Sequence, residues 1–554
     1  MKKLVLVILV VVAAGLVVVS GMQAGRAGAA NGGFRFNPNS LVLSKSVYTG
    51  NAGTVVIGET LPPGCAGGPN GSSNVQVPTT AGGVVIVAVP CGIASDNGEY
   101  PNLNDDHNVW NNSGTDGSFG ISSPIYLENL TTQGHLLGTL PIPTNMMVTS
   151  FSSKSELALN LSVDGKSLTF MGYHGGPGCV GGAESPTAPN LIDVSASNTP
   201  GVCDPTNPVF SSVVSNPEVS TAYYRAVAEV DAFGNVSVTD GNAYSGDNGR
   251  AAMKGGNDMY YMAGNNNSGN LSKKQLTTTL PGIELINSTG AETLLPFQVP
   301  PTPPNIGMIG RLLFPGDKPG KDTNFRGLTI FDNTLYVSKG SGGNGINTVY
   351  QVGSAGVLPT GSAMDLAAVP INILPGFPNT PASTNTAFPF GMFFANANTL
   401  YVCDEGDGTY VPGQIIDGVV NVADPQSLAT AGLQKWVLQN GTWTLVYVLQ
   451  KGLDIGIPYG LANYPASINP ATGGCRNITG RVNGDGTVEI WAITSTISQN
   501  GDTGADPNKL VHVRDLLSAT TLPNPGSNGL GSFETIRSAQ AGEVFRGVAF
   551  APRD

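Results

Sequence analysis

A short two-strand pattern recurs along this sequence and constrains its fold more than any other feature. The clearest copy is Phe325–Phe331, a strand of small and apolar residues, followed by a polar turn at Asp332–Thr334 and a second strand at Leu335–Ser338. Looser copies recur along the chain, and the sequence ends on another, Phe545–Phe550. A recurring strand pair of this kind predicts a repeat protein built from small antiparallel sheets.

The composition supports an all-β fold. Of 554 residues, 75 are glycine and 40 are proline, whereas charged residues make up only 12%. Glycine and proline set turn dihedral angles and interrupt helices, so this composition favours many short strands. No long stretch after the N-terminus shows the 3.6-residue apolar period of an amphipathic helix.

The repeat predicts a β-propeller of six blades that closes on itself. The terminal copy Phe545–Phe550 has no partner strands after it, and the strand near Leu41 has no opening copy before it. We therefore expect the C-terminal strand to become the innermost strand of the first blade, which removes exposed sheet edges. The copies start about 65 to 95 residues apart, more than compact blades need. The excess predicts loop insertions at about 49–123 and 174–220, and a seventh blade in the first insertion remains an alternative.

The N-terminus predicts export. Two lysines precede an apolar run from Leu4 to Val19, and small residues follow at Ala27–Ala29. This order is typical of a signal peptide over residues 1–29, ahead of a single propeller domain over residues 30–554. We expect a secreted or periplasmic protein with no membrane segment after cleavage. An uncleaved anchor is the alternative.

Six cysteines in an exported chain favour disulfides. They allow fifteen pairings, of which we favour Cys65–Cys91 and Cys179–Cys203. Each of these pairs closes a loop of about 25 residues, which removes about 3 kcal/mol of unfolded-state entropy. No pair has CxxC spacing, so zinc binding and thiol redox chemistry are not expected.

The chain resembles six-bladed β-propellers of the NHL-repeat and gluconolactonase-like type over roughly residues 34 to 554. It also resembles exported bacterial propeller proteins of unassigned function that carry the same opening strands. The resemblance implies the fold and little about function, because propellers host many unrelated activities. The acidic and amide ligand set of the gluconolactonase-like enzymes cannot be mapped onto these residues, so no site is transferred.

An arginine-rich ring is the leading candidate site. Aligning the six strand openings places one residue of each at an equivalent position near the central channel: Glu156, Arg250, Arg326, Phe390, Arg476 and Arg546. Four arginines around one axis need negative compensation. An anionic ligand is one answer, since guanidinium suits carboxylate or phosphate. Pairing with carboxylates or carbonyls of neighbouring blades is the other.

Three acidic residues and two histidines complete the candidates. Asp404, Glu405 and Asp407 supply oxygen ligands of the kind that calcium prefers, without the spacing of an EF-hand loop. They are alternatively arginine partners or a solvated turn. His107 and His174 lie in the two insertions and could bring acid–base or ligand-binding chemistry to the channel face. Catalytic residues cannot be named, because no GxSxG, HExxH or P-loop motif is present.

Two functions from different classes follow. The first is an exported propeller, expected to be a monomer, that binds an anionic small molecule, glycan or protein at the loop face of its central channel. The second is a calcium-dependent hydrolase of lactonase or phosphatase type, so whether the chain is an enzyme stays open. The net charge of −12 argues against nucleic acid as a partner.

Overall fold

The computed structural model describes most of the chain from residue 33 onward. The described residues are 33–47, 122–144, 146–151, 153–174, 225–241, 243–244, 248–265, 282–287, 307–310, 312–313, 317, 324–340, 345–381, 387–408, 430–464, 466, 469–498, 504–523 and 529–554, with the backbone of short strands at 60–61, 72–78, 84–90, 92–95, 111–112, 179–180 and 183–184. The signal peptide, His107 and the cysteine pairs favoured above lie outside the residues whose side chains are described.

Six antiparallel sheets form a six-bladed β-propeller, as predicted. The strands of blades 1 to 3, from the axis outward, are Glu543–Phe550, Leu41–Val47, Ile125–Leu130 and Leu136–Pro141 in blade 1; Asn160–Leu161 with Met147–Ser150, then Ser167–His174, Arg225–Asp231 and Val236–Gly241 in blade 2; and Gly249–Lys254, Met259–Gly264, Ile283–Asn287 and Gly307–Met308 in blade 3.

Blades 4 to 6 repeat this plan with four strands each. Their strands, in the same order, are Phe325–Phe331, Thr334–Lys339, Thr348–Val352 and Ile371–Ile373 in blade 4; Pro389–Asn396, Thr399–Asp404, Gly432–Gln439 and Thr442–Leu449 in blade 5; and Ala471–Val482, Thr487–Ile497, Lys509–Leu516 and Glu534–Ser538 in blade 6. The inner strands of neighbouring blades contact one another around the axis.

The C-terminal strand closes the first blade, which confirms the predicted circular closure. Glu543–Phe550 pairs antiparallel with Leu41–Val47, with Leu41 opposite Phe550 and Val47 opposite Glu543. Blade 1 therefore takes its inner strand from one end of the chain and its second strand from the other. This arrangement leaves the inner strands without an open edge around the axis.

The first insertion does not add a seventh blade to the described structure. Its strands Ser72–Pro78 and Val84–Pro90 form a separate two-stranded sheet. Thr60–Leu61, Gly92–Ser95 and Asn111–Asn112 form a three-stranded one. Neither sheet has the four strands that the blades share.

Two-residue turns fix the register of several hairpins. Phe331 pairs with Thr334, so Asp332 and Asn333 form the whole turn, and both have positive φ angles of 45° and 52°. Asn440 and Gly441 make the same kind of turn in blade 5. Positive φ at both central positions is the type I′ geometry that matches the twist of a hairpin, and Asp, Asn and Gly tolerate it best.

The hydrophobic core lies between neighbouring blades. Phe331 of blade 4 stacks on Phe394 of blade 5 with ring centroids 4.8 Å apart, and Phe377 stacks on Trp436 at 3.9 Å. Each aromatic side chain buried in this way contributes about 1.5–3 kcal/mol of transfer free energy. The blades are therefore held face to face by apolar side chains.

One short helix is present among the described residues, Ala363–Ala367 in blade 4. Ser362 caps it by accepting a hydrogen bond from the Asp365 backbone N–H, while the Asp365 carboxylate accepts one in return from the Ser362 backbone. No helix in the described part of the chain is long and apolar enough to cross a membrane.

Candidate ligand site at the propeller axis

A β-bulge sets the ring position on the innermost strand of five blades. The pairing register shifts at Arg326 in blade 4, at Phe390 in blade 5 and at Arg476 in blade 6. The same shift occurs at Arg250 in blade 3 and at Arg546 in blade 1. A bulge turns the local strand and redirects one side chain. These five residues therefore stand at equivalent positions of the repeat.

The residue after the bulge packs directly against the next blade. A Cβ added at Gly327 would lie 2.1 Å from the carbonyl oxygen of Phe390, and one added at Gly391 would lie 2.6 Å from that of Arg476. Only glycine allows the two backbones to approach so closely. Ser338 reinforces the first contact, because its hydroxyl donates to the Phe390 carbonyl at 2.6 Å.

In blade 2 the ring position lies one residue after the predicted Glu156. Ala158 pairs with Ala251, the residue after Arg250, so Leu157 rather than Glu156 is equivalent to the ring arginines. The Leu157 carbonyl accepts the Ser44 hydroxyl at 2.8 Å, as the Phe390 carbonyl accepts Ser338. The one-residue error arose because the inner strand of blade 2 is interrupted, which shifts any alignment based on a continuous strand.

The interruption is a detour of the chain toward the axis, which we call the axial segment (residues 151 and 153–159). Val148 pairs with Tyr173 and Asn160 pairs with Thr169, so eleven residues between these pairs on one strand face three on the other. The surplus leaves the sheet between Ser150 and Asn160. The described residues of this segment are buried, except that Lys154 is partly exposed.

Three other blades hold the axial segment in place. Arg546 of blade 1 donates through Nη2 to the Phe151 carbonyl, and Asn248 of blade 3 donates to the Ser153 hydroxyl at 3.0 Å. Arg326 of blade 4 donates through Nη1 to the Ser155 hydroxyl at 2.5 Å. These contacts come from around the ring. They place the segment among the ring side chains.

Glu156 faces into blade 2. Its carboxylate accepts the Thr149 hydroxyl at 2.8 Å, the Ser150 backbone N–H at 3.1 Å and the Tyr173 hydroxyl. Burial raises the pKa of Glu156, although these hydrogen bonds oppose the rise. The residue anchors the axial segment to the strands on either side of it.

Arg250 has neutral partners in the neighbouring blade, and Arg476 has a charged one. Arg250 donates through Nη1 to the Phe325 carbonyl at 2.7 Å and to the Asn324 side chain of blade 4. Arg476 forms an ion pair with Glu405 of blade 5, with Nε 2.9 Å from Oε2, and both side chains are buried. Contacts between neighbouring blades were one of the two predicted ways to accommodate the ring.

Arg326 differs from Arg476 in its electrostatic environment. Its Nε donates to the Gly340 carbonyl at 2.8 Å, its Nη1 donates to Ser155, and its guanidinium lies over the Phe390 ring at 5.7 Å. No carboxylate of a described residue lies within ion-pair distance of it, although only 7% of the residue is exposed. Burying a cation without an opposite charge is unfavourable. Arg326 is therefore the ring position at which a negative ligand is best accommodated.

Two of the three predicted calcium ligands, Asp404 and Glu405, are engaged with protein donors, while Asp407 is partly exposed. Asp404 is buried and accepts the Gly406 N–H at 2.9 Å and the Gln434 amide at 2.9 Å. Glu405 carries the ion pair with Arg476. Burial raises the pKa of Asp404 to about 7. These contacts give Asp404 and Glu405 structural roles in blade 5, and the predicted calcium site stays a prediction.

Among the side chains that the structure describes, no three or more His, Cys, Asp and Glu residues lie together in a way that could hold a metal ion. His174 ends the strand Ser167–His174, where only its backbone is described, and His107 lies outside the described residues. Their predicted contribution to the channel face stays a prediction.

Sequence reasoning missed the axial segment and the disulfide between Cys403 and Cys475. That disulfide joins the second strand of blade 5 to the inner strand of blade 6, with Cα atoms 5.1 Å apart. Cys403 stands opposite the bulge where Ser338 stands in blade 4, so one position links adjacent blades by a hydroxyl or by a covalent bond. A serine-rich run after the strand ending at Ser150 was the available signal for the axial segment.

Comparisons with known proteins add little to this description. No protein-family model and no curated protein matches the sequence. Solved structures that match include an S. cerevisiae complex of Dbp5 with Nup159, Gle1, IP6 and ADP, at 8% identity over 70% of this chain and 88% of that chain, with a TM-score of 0.26. Trypanosoma rangeli sialidase with the inhibitor DANA matches at 10% identity over 77% of this chain, with a TM-score of 0.28. NanB plus Optactamide matches at 7% identity over 93% of this chain and 78% of that chain, with a TM-score of 0.18.

The matched region spans 56% of the sialidase chain. TM-scores this low support no conclusion about what this protein binds. The six-bladed propeller is established by its own sheets and their closure.

Proposed function

We propose that this protein is an exported binding propeller that holds an anionic group at its axis, with Arg326 as the principal contact. The observation that carries the proposal is the buried Arg326 guanidinium, which has no carboxylate partner among the described residues. A ligand carboxylate or phosphate would supply the missing negative charge. Guanidinium recognises such groups through paired N–H donors.

The surroundings of Arg326 support a specific site. The Phe390 ring and the Gly340 carbonyl fix the direction of the guanidinium, so little side-chain entropy is lost on binding. Arg250 and Arg546 lie at equivalent ring positions and add positive potential. The ligand is an anionic small molecule, or an anionic group carried by a glycan or a protein, and the acidic chain disfavours nucleic acid.

Reversing the charge at Arg326 tests this proposal. Titration calorimetry of the purified protein with citrate and with inorganic phosphate measures affinity for small anions. Arg326→Glu is expected to weaken binding at least tenfold, because a carboxylate would then face the anion. Arg35→Glu is the matched control, since Arg35 is exposed and pairs with Asp554 at the surface. Equal affinity in a folded Arg326→Glu variant would contradict the proposal.

The calcium-dependent hydrolase remains the alternative, but no contact of the described residues favours it. Elemental analysis of the purified protein would revive it if about one calcium per chain were retained, in line with a tightly held site. The finer assignment to the NHL-repeat or gluconolactonase-like type, export through a signal peptide over residues 1–29 and a monomeric state belong to the same proposal. Mass measurement of the mature N-terminus tests export directly.

A further inference from the structure

The Ser155 hydroxyl lies where a ligand oxygen would bind Arg326. It accepts a hydrogen bond from Nη1 at 2.5 Å. We propose that the axial segment acts as an internal competitor, in which Ser155 sets the affinity and selectivity of the Arg326 site. This inference rests on the proposed function, because it concerns the same guanidinium.

The hydrogen bonds of the Arg326 guanidinium leave its two Nη groups as the donors for which a ligand and Ser155 compete. A carboxylate or phosphate binds arginine in paired fashion either at Nε with one Nη or at the two Nη groups. The Gly340 carbonyl accepts from Nε at 2.8 Å, which occupies the first of these forks. Ser155 accepts from Nη1, which is one of the two donor groups of the second fork. Nη2 makes no hydrogen bond to a described residue, so a ligand that binds through both Nη groups would compete with Ser155 for Nη1.

The axial segment is an insertion in the inner strand of blade 2. It interrupts the pairing of the inner strand between Val148 and Asn160. Leu157 within it has a φ of 61°, a left-handed conformation that is unfavourable for leucine and that its neighbours impose. Retreat of the segment from the axis would lose hydrogen bonds and relieve this strain. The two effects oppose each other, which is the condition for a segment that yields to a ligand.

Ser155 also restricts which anions bind. A ligand that offers one oxygen can use Nη2 while Ser155 stays in place. A ligand with two oxygens in the plane of the guanidinium gains the paired geometry only after displacing the hydroxyl. The site should therefore favour anions whose hydrogen bond to Nη1 is strong enough to compensate for the broken hydrogen bond between Nη1 and Ser155.

Calorimetry with citrate and with inorganic phosphate tests the inference in the full chain. Ser155→Ala removes the competing oxygen and is expected to bind about tenfold more tightly than the wild type, which corresponds to about 1.4 kcal/mol. Ser362→Ala is the control, because this exposed serine caps the helix Ala363–Ala367 and is bonded to Asp365, not to Arg326. It should bind within about twofold of the wild type. Arg326→Gln combined with Ser155→Ala should abolish the gain.

The outcomes separate this inference from the function on which it rests. Wild-type binding that Ser155→Ala leaves equal or weaker overturns the competition and leaves the Arg326 site standing. No anion binding by either the wild type or Ser155→Ala overturns both. Binding gained only by Ser155→Ala and lost again with Arg326→Gln supports both. Ser155→Gly serves as a second variant without the hydroxyl if Ser155→Ala does not fold.

Discussion

The interface between blades 5 and 6 and the interface between blades 4 and 5 use different chemistry. At the first, Arg476 pairs with Glu405, Lys435 pairs with Asp515 at 3.1 Å, and Cys403 and Cys475 form a disulfide. At the second, the described contacts are aromatic stacking, close backbone packing at Gly327 and the Ser338 hydroxyl, without an ion pair between described residues of the two blades.

The difference between the two interfaces identifies the buried cation that an anionic ligand would neutralise. At the interface of blades 5 and 6 each buried cation has a carboxylate, and Tyr401 and Tyr447 donate further hydrogen bonds to Asp515. Burial and the negative charge of Asp515 raise the pKa of both tyrosines, which keeps them protonated donors. Arg326, at the interface of blades 4 and 5, has only neutral partners among the residues that the structure describes. Charge compensation marks a structural interface, and the lack of a described carboxylate at Arg326 marks the candidate site.

Breaking the Lys435–Asp515 pair should produce the largest loss of stability. Both side chains are fully buried, so Lys435→Met leaves a buried carboxylate without its cation. We expect the free energy of unfolding to fall by about 3–5 kcal/mol. Thermal and denaturant unfolding measure the effect, and Arg35→Met, which breaks the exposed Arg35–Asp554 pair, should change it by about 0–1 kcal/mol. A loss no greater than that of Arg35→Met would show that the pair does not stabilise the interface.

Matched substitutions at two ring positions test whether Arg476 stabilises the fold more than Arg326 does. Arg476→Gln removes the cation that pairs with buried Glu405, and we expect a loss of about 3 kcal/mol in unfolding free energy. Arg326→Gln removes hydrogen bonds to Gly340 and Ser155 but leaves no described carboxylate without its cation, so about 1 kcal/mol is expected. Denaturant unfolding of the two variants side by side checks the order. Equal losses would indicate that Arg326 has the same structural role as Arg476.

A pH dependence at Asp404 is expected to be smaller than the effect of breaking either buried ion pair. Because burial raises its pKa to about 7, the folded state favours the protonated carboxyl. Its contribution to stability is fully present below the unfolded-state pKa and is lost as the pH rises through about 7. Between pH 6 and 8 the wild type should therefore lose about 1.4 kcal/mol relative to Asp404→Asn.

Unfolding of both proteins at several pH values measures this difference. Asparagine keeps an acceptor for the Gly406 N–H, and any change in its contact with Gln434 adds a constant offset that leaves the pH slope untouched. A parallel pH dependence of the two proteins would show that Asp404 is ionised in the fold at neutral pH.

The repeated strands were predictable because their signals are local. The alternation in Phe325–Phe331, the turns at Asp332–Asn333 and Asn440–Gly441, and the unpartnered copy at the C-terminus each depend on neighbouring residues or on simple pattern matching. The ring arginines were found for the same reason, since each stands at a fixed place in its repeat. The partners of those arginines were not, because Ser155 and Phe151 belong to a different blade and carry no repeat signal.

The all-β class, the sixfold repeat, its closure by the terminal strand and the arginines at equivalent repeat positions could be predicted from the sequence. Folding established that Arg476 pairs with a carboxylate, that Leu157 and not Glu156 stands in the ring, and that the axial segment reaches Arg326. The two sets of features differ in how far apart along the chain the interacting residues lie. Strand and turn preferences act between neighbours along the chain, whereas compensation of a buried charge depends on groups that folding brings together from distant positions.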